Sequence, residues 1–569
     1  MGDNEVMSSE TAARPVHVVA GEVGSDRVPE MTSALHSGGH TVLAHTVASV
    51  AALSATEEGD RERLRRELGL AIETVRGALD DDGVVLLADG RAALVVPEMM
   101  RVLLDERGMG WEEAWERVRG TIRARLGSPG DHPGPLWSTA VLQEECPRLL
   151  EILYEINRRH LDGVEARWPG DVDRRRRVSL FREGEATRLR LGVLAILGSS
   201  RADVARPWEG PASEILADLS ECCGDALRAR PTPVSPRRWL RQANPSLSTV
   251  LTLALGSRWP EDPEVLDGLE TLAYEPAFRG AFRKARRSNR LRLAALLRER
   301  AGVEMDPEAL VDVKLGALRG CERTPLVLLG LVREHLRVTA GGWTPPASRT
   351  VVIARDAGAA GPETDRILAV ARAVADAINR DASAHSVLRV AVLPECTESD
   401  VRTLVAGADL SNQSGTAGSG AAGARALGLA LNGAVTLGTR DGTVRELEDA
   451  VGSENLFLFG LGPLEARAWR DGAVYRPQDV YALDPLLRRV LDELVSPRYE
   501  PQPGAHAWLR ERLLDEHDPW LVLASFGEYV HRQDEALAEF ADPRTFTEKA
   551  ILTVARCRRF WSDSLELDG

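Results

Sequence analysis

The chain has 569 residues, of which 44% are hydrophobic, and its formal net charge at pH 7 is −15. A single hydrophobic core rarely serves a chain of this length, so we expect two or more domains. The acidic balance argues against a nucleic-acid partner, and the sequence contains no apolar run of the length that spans a membrane.

The N-terminus begins MGDNEVMSSE, which is polar and acidic and unlike a signal peptide. We predict a disordered tail over residues 1–14. The six cysteines are scattered without the spacing of a metal site, which predicts a reduced, cytoplasmic protein with no bound metal. These cysteines are Cys146, Cys222, Cys223, Cys321, Cys396 and Cys557.

The first predicted unit is a βαβ opening, with strands at 16–20 and 40–47 and a helix at 28–36. The loop between the first strand and the helix contains Gly21, Gly24 and Arg27. Such a loop can hold a phosphate, or it can be a tight turn in an ordinary α/β unit. Its two acidic residues would repel a phosphate, which favours the turn.

Residues 57–80 predict an amphipathic helix, because Leu64, Leu68, Ile72 and Val75 recur on one face. A buried strand follows at 84–89, and Arg91 lies just beyond it. The remaining residues to 232 are mostly predicted helices, so we assign 15–232 to a first domain.

Short apolar strands alternate with helices in the second half, which we assign to a domain at 233–569 with a helical tail. This alternation predicts a doubly wound parallel sheet whose ligands lie at the carboxyl ends of the strands. The predicted strands are 349–354, 388–393, 434–437 and 455–460, and the helices between them are 362–380, 399–407 and 443–451.

A loop of small residues, containing Gly418, Gly420 and Gly423, precedes a short helix and the turn Asn432–Gly433. Backbone amides of such a loop can bind an anion at the helix N-terminus. Small residues here can equally serve close packing of the helix on the sheet, and the composition alone favours packing.

The same stretch carries four motifs: ADLSNQ at 408–413, TAG at 416–418, LNGA at 431–434 and GTRDG at 438–442. Together they resemble the glycogen and α-glucan phosphorylases, glycosyltransferases that use pyridoxal phosphate. The resemblance implies an α/β protein of two Rossmann-like domains (a GT-B fold) with an interdomain cleft. It also implies a truncated N-terminal domain, because much of that domain is missing between His40 and Asp82.

In the family, a lysine four residues before the asparagine of LNGA holds the cofactor, and here that position is Gly428. The chain has three lysines, Lys284, Lys314 and Lys549, and arginine cannot form a Schiff base. We therefore expect no pyridoxal phosphate. Lys314 leaves one alternative open, because a shift in how this segment aligns with the family's motif could give Lys314 a functional role.

Other positions that carry chemistry in the family also differ. The phosphate-binding Lys-Arg pair is replaced by Gly316 and Ala317, and a later lysine by Glu322. A Tyr-Arg pair that contacts the cofactor is replaced by Cys396 and Thr397, the histidine of the catalytic cleft by Gly127, and a glucose-binding acid by Gly420. Since cationic donors stabilise the transition state of phosphorolysis, we do not expect ordinary glycogen phosphorylase activity.

The resulting hypothesis is a phosphorylase-like protein that binds a sugar, a sugar phosphate or a related polar metabolite in the interdomain cleft without pyridoxal phosphate. It would be a repurposed glycosyl-transfer or biosynthetic enzyme, with no catalytic residue assignable from the sequence. The alternative is an inactive pseudo-phosphorylase that acts as a scaffold, as a homodimer or with a partner enzyme. The predicted ligand contacts are Arg27, Arg91, Gly418, Gly420, Gly423, Arg425 and Asn432.

Overall fold

The computed structural model divides into two compact units. The first contains the described residues up to Ala205 together with Ile215–Ala229, and the second contains residues 211–214 and the described residues from Arg230 onward. The boundary predicted at 232/233 lies outside the described residues. The structure describes residues 15–20, 42–46, 57–87, 90–126, 137–182, 187–205, 211–230, 237–318, 320–341, 343–356, 362–417, 424–471, 475–500, 502–515 and 517–560.

The first unit is built on a six-stranded sheet with the order β2-β1-β3-β4-β7-β8, and a two-stranded ribbon pairs β5 with β6. The pairs β1/β2, β1/β3, β3/β4 and β4/β7 are parallel. The strands are β1 (Val16–Ala20), β2 (Val42–Thr46), β3 (Val84–Leu87), β4 (Ile122–Leu126), β5 (Phe181–Arg182), β6 (Arg188–Leu189), β7 (Arg201–Ala205) and β8 (Leu227–Arg230).

Helices pack against this sheet through their apolar faces. Leu64 and Val75 of the first helix are fully buried, as its periodicity predicted, whereas Leu68 and Ile72 are only partly buried. The helices are α1 (Glu57–Asp80), α2 (Val95–Arg101), α3 (Trp111–Thr121), α4 (Thr139–Glu145), α5 (Pro147–Arg167), α6 (Val172–Val178), α7 (Leu191–Leu197) and α8 (Pro211–Cys223).

The second unit contains a six-stranded sheet with the order β11-β10-β9-β12-β13-β14. All five neighbouring pairs are parallel, as expected for strands buried on both faces. Numbered within the unit, this order is 3-2-1-4-5-6, the doubly wound arrangement. The strands are β9 (Leu310–Gly316), β10 (Arg349–Asp356), β11 (Leu388–Cys396), β12 (Leu410–Gln413), β13 (Val435–Thr439) and β14 (Phe457–Phe459).

Helices alternate with these strands and then form the C-terminal part of the unit. They are α9 (Pro245–Leu255), α10 (Gly268–Leu272), α11 (Pro276–Ala301), α12 (Thr324–Thr339), α13 (Pro362–Arg380), α14 (Glu398–Gly407), α15 (Ala424–Leu431), α16 (Gly442–Val451), α17 (Pro463–Asp471), α18 (Pro477–Leu483), α19 (Pro485–Leu494), α20 (Ala507–Leu514), α21 (Val522–Phe540) and α22 (Pro543–Arg556).

The predicted α/β class with two parallel sheets is confirmed, and the predicted elements of the second half agree with the structure to within three residues at either end. The helix predicted at 28–36 lies outside the described residues. Within the part of the chain that the structure describes, no helix is both long and apolar enough to cross a membrane.

Candidate functional site

The candidate site is the carboxyl edge of the second sheet, where the strand order reverses between β9 and β12. These two strands pair through Asp312 with Leu410 and Val313 with Ser411, and they end at Gly316 and Gln413. Ligands of doubly wound sheets bind at this switch point, beyond the carboxyl ends of the strands.

Glu322 folds back into the loop that follows β9. Its carboxylate accepts hydrogen bonds from the backbone amides of Ala317 at 3.2 Å and Leu318 at 3.0 Å. A Cβ atom on Gly316 would lie 2.3 Å from the Oε2 atom of Glu322, so this carboxylate sits where a side chain at 316 would begin. The two backbone amides that could hold an external anion are therefore already bound to the carboxylate of Glu322.

Arg323 follows Glu322 and is buried, with 2% of its surface exposed. Its guanidinium donates to the carbonyl of Ser414 at 2.7 Å, to Oγ of Ser525 at 2.6 Å and to Oγ1 of Thr439 at 2.5 Å. Burial lowers the pKa of Arg323 to about 10, which leaves it charged at neutral pH. Arg323 therefore joins the loop after β9 to the ends of β12 and β13 and to α21.

Arg425, a predicted ligand contact, begins α15 and forms an ion pair with Asp356 at the end of β10. The two side chains are 27% and 16% exposed, so the pair is partly open to solvent. The charge of Arg425 is balanced by a neighbouring carboxylate, which makes it a weaker site for phosphate than an isolated arginine would be.

Three further arginines at or near this edge are also paired with acids. Arg355 contacts Asp365 at 2.8 Å, Arg440 contacts Glu448 at 3.2 Å and Arg512 contacts Glu363 at 3.0 Å. Four arginines at or near the switch point are therefore each paired with a carboxylate.

Gly428, at the position of the family's lysine, faces the ring of Trp239. A Cβ atom on Gly428 would lie 3.0 Å from two carbons of the indole, so a side chain there needs the ring to move by a few tenths of an ångström. Trp239 is 5% exposed and packs in the core of the second unit. The site thus has neither the amine nor ready space for one at this position.

Asn432, another predicted ligand contact, is fully buried. Its Nδ2 donates to the carbonyls of Trp239 at 2.5 Å and Gly428 at 2.8 Å, and its Oδ1 accepts from Nδ2 of Asn244 at 2.9 Å. These bonds give the side chain a role in joining α15 to the segment before α9.

The three lysines lie in different surroundings. Lys314 is buried on β9 at 3% exposure, and Lys284 is exposed on α11. Lys549 pairs with Glu539 at 2.6 Å.

Cys396 and Thr397 replace the Tyr-Arg pair of the family at the end of β11. Cys396 is buried, and burial raises the pKa of its thiol to about 12, so it is a poor nucleophile. Thr397 caps α14, since its side chain accepts from the amide of Asp400 at 3.2 Å. Both residues therefore have structural roles, Cys396 as a buried side chain and Thr397 as a helix cap.

The remaining predicted contacts have no described side chain. Arg91 lies in the turn Gly90–Leu94 after β3, and only its backbone is described. Arg27, Gly418, Gly420 and Gly423 lie outside the described residues, as does Gly127. Among the described side chains, no group of three His, Cys, Asp or Glu residues has the arrangement of a metal site.

Sequence reasoning missed two residues of this edge. It treated Glu322 only as a lost lysine, and it did not identify Asp356 as the partner of Arg425. An acidic residue at the last position of a buried strand was the available signal for Asp356, because the strand places it at the ligand edge.

These features define a doubly wound α/β protein with a charge-balanced switch point. The family model described as carbohydrate phosphorylase matches residues 69–565, and the chain belongs to that family.

Curated relatives agree with this assignment. The chain is 30% identical over 494 residues to the brain form of glycogen phosphorylase from Rattus norvegicus, and 32% identical over 495 residues to the muscle form from Oryctolagus cuniculus. It is 28% identical over 493 residues to glycogen phosphorylase from Pasteurella multocida. Each match covers 86% of this chain but only 58–60% of the relative, so the chain spans less than two thirds of their length.

Proposed function

We propose that this protein binds a carbohydrate at the carboxyl edge of its second sheet and does so without pyridoxal phosphate. The ligand is a sugar, a sugar phosphate or a related polar metabolite, and the chemistry is a repurposed glycosyl-transfer or biosynthetic step. Membership of the carbohydrate phosphorylase family supports the ligand class.

The observation that carries this proposal is the position of the Glu322 carboxylate, which accepts the amide hydrogens of Ala317 and Leu318. The resemblance places a lysine at this position, and reversing the charge there disfavours a phosphate dianion. The Glu322 carboxylate and the Arg425–Asp356 pair together favour a ligand that is neutral where it faces this edge of the sheet. Hydroxyl groups suit such a surface, because each can both donate and accept a hydrogen bond.

The described residues do not fit pyridoxal phosphate. Position 428 has no amine, and the Trp239 ring lies 3.0 Å from where its Cβ would be. The cofactor therefore has no point of attachment at the family's position.

Ligand binding is tested by thermal shift and calorimetry with maltotetraose, glucose 1-phosphate and UDP-glucose. A ligand present at 100 times its dissociation constant should stabilise the protein by about 2.7 kcal/mol. Asp356→Asn should weaken that binding, because it removes one charge of the partly exposed pair with Arg425. Asp376→Asn is the matched control, since Asp376 also pairs with an arginine but lies on the surface of α13.

The sequence also predicted an inactive interaction protein, and the internal use of two amides by Glu322 favours that alternative too. The inactive interaction protein is supported if none of the three ligands binds and a protein partner co-purifies at fixed stoichiometry. Binding of any of the three that Asp356→Asn weakens decides for the first proposal.

Cofactor independence has its own test. Borohydride reduction of the protein incubated with pyridoxal phosphate, followed by mass spectrometry of its peptides, should give no stoichiometric adduct on a lysine. A full adduct on Lys314, Lys284 or Lys549, with absorbance of the Schiff base, would overturn this part of the proposal.

A further inference from the structure

A cavity of about 430 Å³ is lined by residues of the first unit. Its walls come from α3, α5, the end of α7 and the end of α8. This volume lies in the range of cavities that bind small molecules.

One wall is a stripe of α3 formed by Trp111, Trp115 and Arg119, which follow one another at intervals of four residues and so share a face. The guanidinium of Arg159 lies 4.9 Å from the centre of the Trp111 ring and is paired with Glu112. Among the described residues, no aromatic or cationic group packs over Trp115. Its indole is therefore the surface on which a planar ligand could stack.

The part of the lining that comes from α5 contains His160. Its Nε2 atom is buried with no hydrogen-bond partner among the described residues. Burial lowers the pKa of His160 to about 4, so at neutral pH the ring is uncharged and Nε2 can act as an acceptor.

An unsatisfied buried acceptor is costly, and a ligand with an O–H or N–H group would remove that cost. The other buried polar group of the lining is already used, because the hydroxyl of Ser199 donates to the carbonyl of Ala195 at 2.8 Å. Ile156 lies one turn before His160 on α5, and together with Ile196 and Leu197 it adds apolar surface to the lining. These three side chains offer no partners to the hydroxyls of a sugar, so this part of the cavity suits an aromatic ring with a single donor.

Arg119 ends the tryptophan stripe and is exposed. It lies close enough to Cys223, another lining residue, for its charge to lower the pKa of that thiol, although burial dominates and raises the pKa to about 11. The thiol is thus neutral and does not compete for the arginine. An exposed cation in the lining favours a ligand with an anionic group at the opposite end from its buried donor.

We infer that this cavity binds a planar aromatic carboxylate that stacks on Trp115, donates a hydrogen bond to Nε2 of His160 and places its carboxylate near Arg119. This inference is independent of the proposed carbohydrate site, because the two lie in different units and differ in ligand chemistry.

The test uses 4-hydroxybenzoate as the probe, with benzoate and phenol as its matched analogues, followed by tryptophan fluorescence and calorimetry on the full chain. We expect 4-hydroxybenzoate to bind at least about tenfold more tightly than either analogue, because benzoate lacks the donor and phenol lacks the carboxylate. Arg119→Gln should abolish the preference over phenol. Arg117→Gln, on the same helix but paired with Asp82, should leave it unchanged.

His160→Leu should abolish the preference over benzoate, and the Arg119 variant provides an independent readout if that protein does not fold. Equal binding of 4-hydroxybenzoate and benzoate would overturn the inference. So would absence of binding at millimolar probe, or competition by maltotetraose at the same cavity.

Discussion

Asn244 and Asn432 are separated by 188 residues and share a hydrogen bond of 2.9 Å in which Nδ2 of Asn244 donates to Oδ1 of Asn432. Asn244 also caps α9 through the amide of Leu247, and it accepts from Nδ2 of Asn289 on α11 at 2.8 Å. The asparagine of the LNGA motif therefore joins α15 to two other helices, which accounts for its complete burial.

Replacing Asn432 by alanine should lower the free energy of unfolding by at least about 2 kcal/mol, because it removes three buried hydrogen bonds: those to the carbonyls of Trp239 and Gly428 and the one from the amide of Asn244. Urea denaturation measures the change. Gln502→Ala is the control, since Gln502 is exposed and should change stability by less than about 0.5 kcal/mol. An equal effect of both substitutions would contradict the buried role of Asn432.

Arg349 is buried at 3% exposure, where it pairs with Asp312 and Glu334. Arg349→Leu should destabilise the second unit by about 3–5 kcal/mol, because two buried carboxylates lose their counter-charge. The surface pair Arg380–Asp376 is the comparison, and Arg380→Ala should cost no more than about 1 kcal/mol.

Replacing Asp312 and Glu334 by leucine as well should recover most of the loss caused by Arg349→Leu, because none of the three charges of this cluster then remains. Chemical denaturation of the single and triple variants decides the point. If Arg349→Leu is as stable as the original protein, the ion cluster does not contribute to the free energy of unfolding.

Gly320 lies between the end of β9 and Glu322, and a Cβ atom there would lie 1.9 Å from the ring of Trp520. Gly320→Ala should therefore cost about 1–3 kcal/mol in stability, since the ring has to move. That cost should disappear in a Trp520→Ala background, which a double-mutant cycle measures.

Gly280→Ala provides the matched control for Gly320→Ala. Gly280 lies in α11 with nothing within 4 Å of the added carbon, so this change should stabilise the protein by about 0.5–1 kcal/mol. Stabilisation by both alanines would show that Trp520 does not fill the space above Gly320.

His160 predicts an acid-sensitive contribution to stability. Burial lowers its pKa from 6.5 to about 4, so the unfolded chain binds its proton more tightly than the folded one. Stability should therefore fall as the pH drops below about 6.5 and level off below about 4, by about 3 kcal/mol in total.

The measurement is the difference in unfolding free energy between the original protein and His160→Gln at pH 7, 5.5 and 4, which cancels the contribution of other groups. His531→Gln is the control, because the side chain of His531 is 69% exposed. A difference that does not change with pH would contradict a buried neutral His160.

Local patterns in the sequence predicted most elements of the second sheet. The strand predicted at 349–354 is Arg349–Asp356, and the helix predicted at 362–380 is Pro362–Arg380. Apolar runs of this length bounded by polar residues are local signals. They specify an element and its approximate ends without reference to the rest of the chain.

The predicted ligand contacts depended on more than local pattern. Arg425 was assigned from its place after a small-residue loop, but its charge is balanced by Asp356, which lies on a different strand. Asn432 was assigned from a motif, but its amide is held by residues almost two hundred positions away. Neither partner can be identified from spacing along the chain.

By itself, the sequence determined the α/β class, the parallel second sheet and the carbohydrate phosphorylase family, because periodicity and short motifs are properties of neighbouring residues. Only the tertiary structure decided that Glu322 occupies the amides after β9, that Trp239 covers Gly428 and that the first unit encloses a cavity. The physical reason is that charge balance, hydrogen-bond partnership and enclosed volume arise between segments that folding brings together.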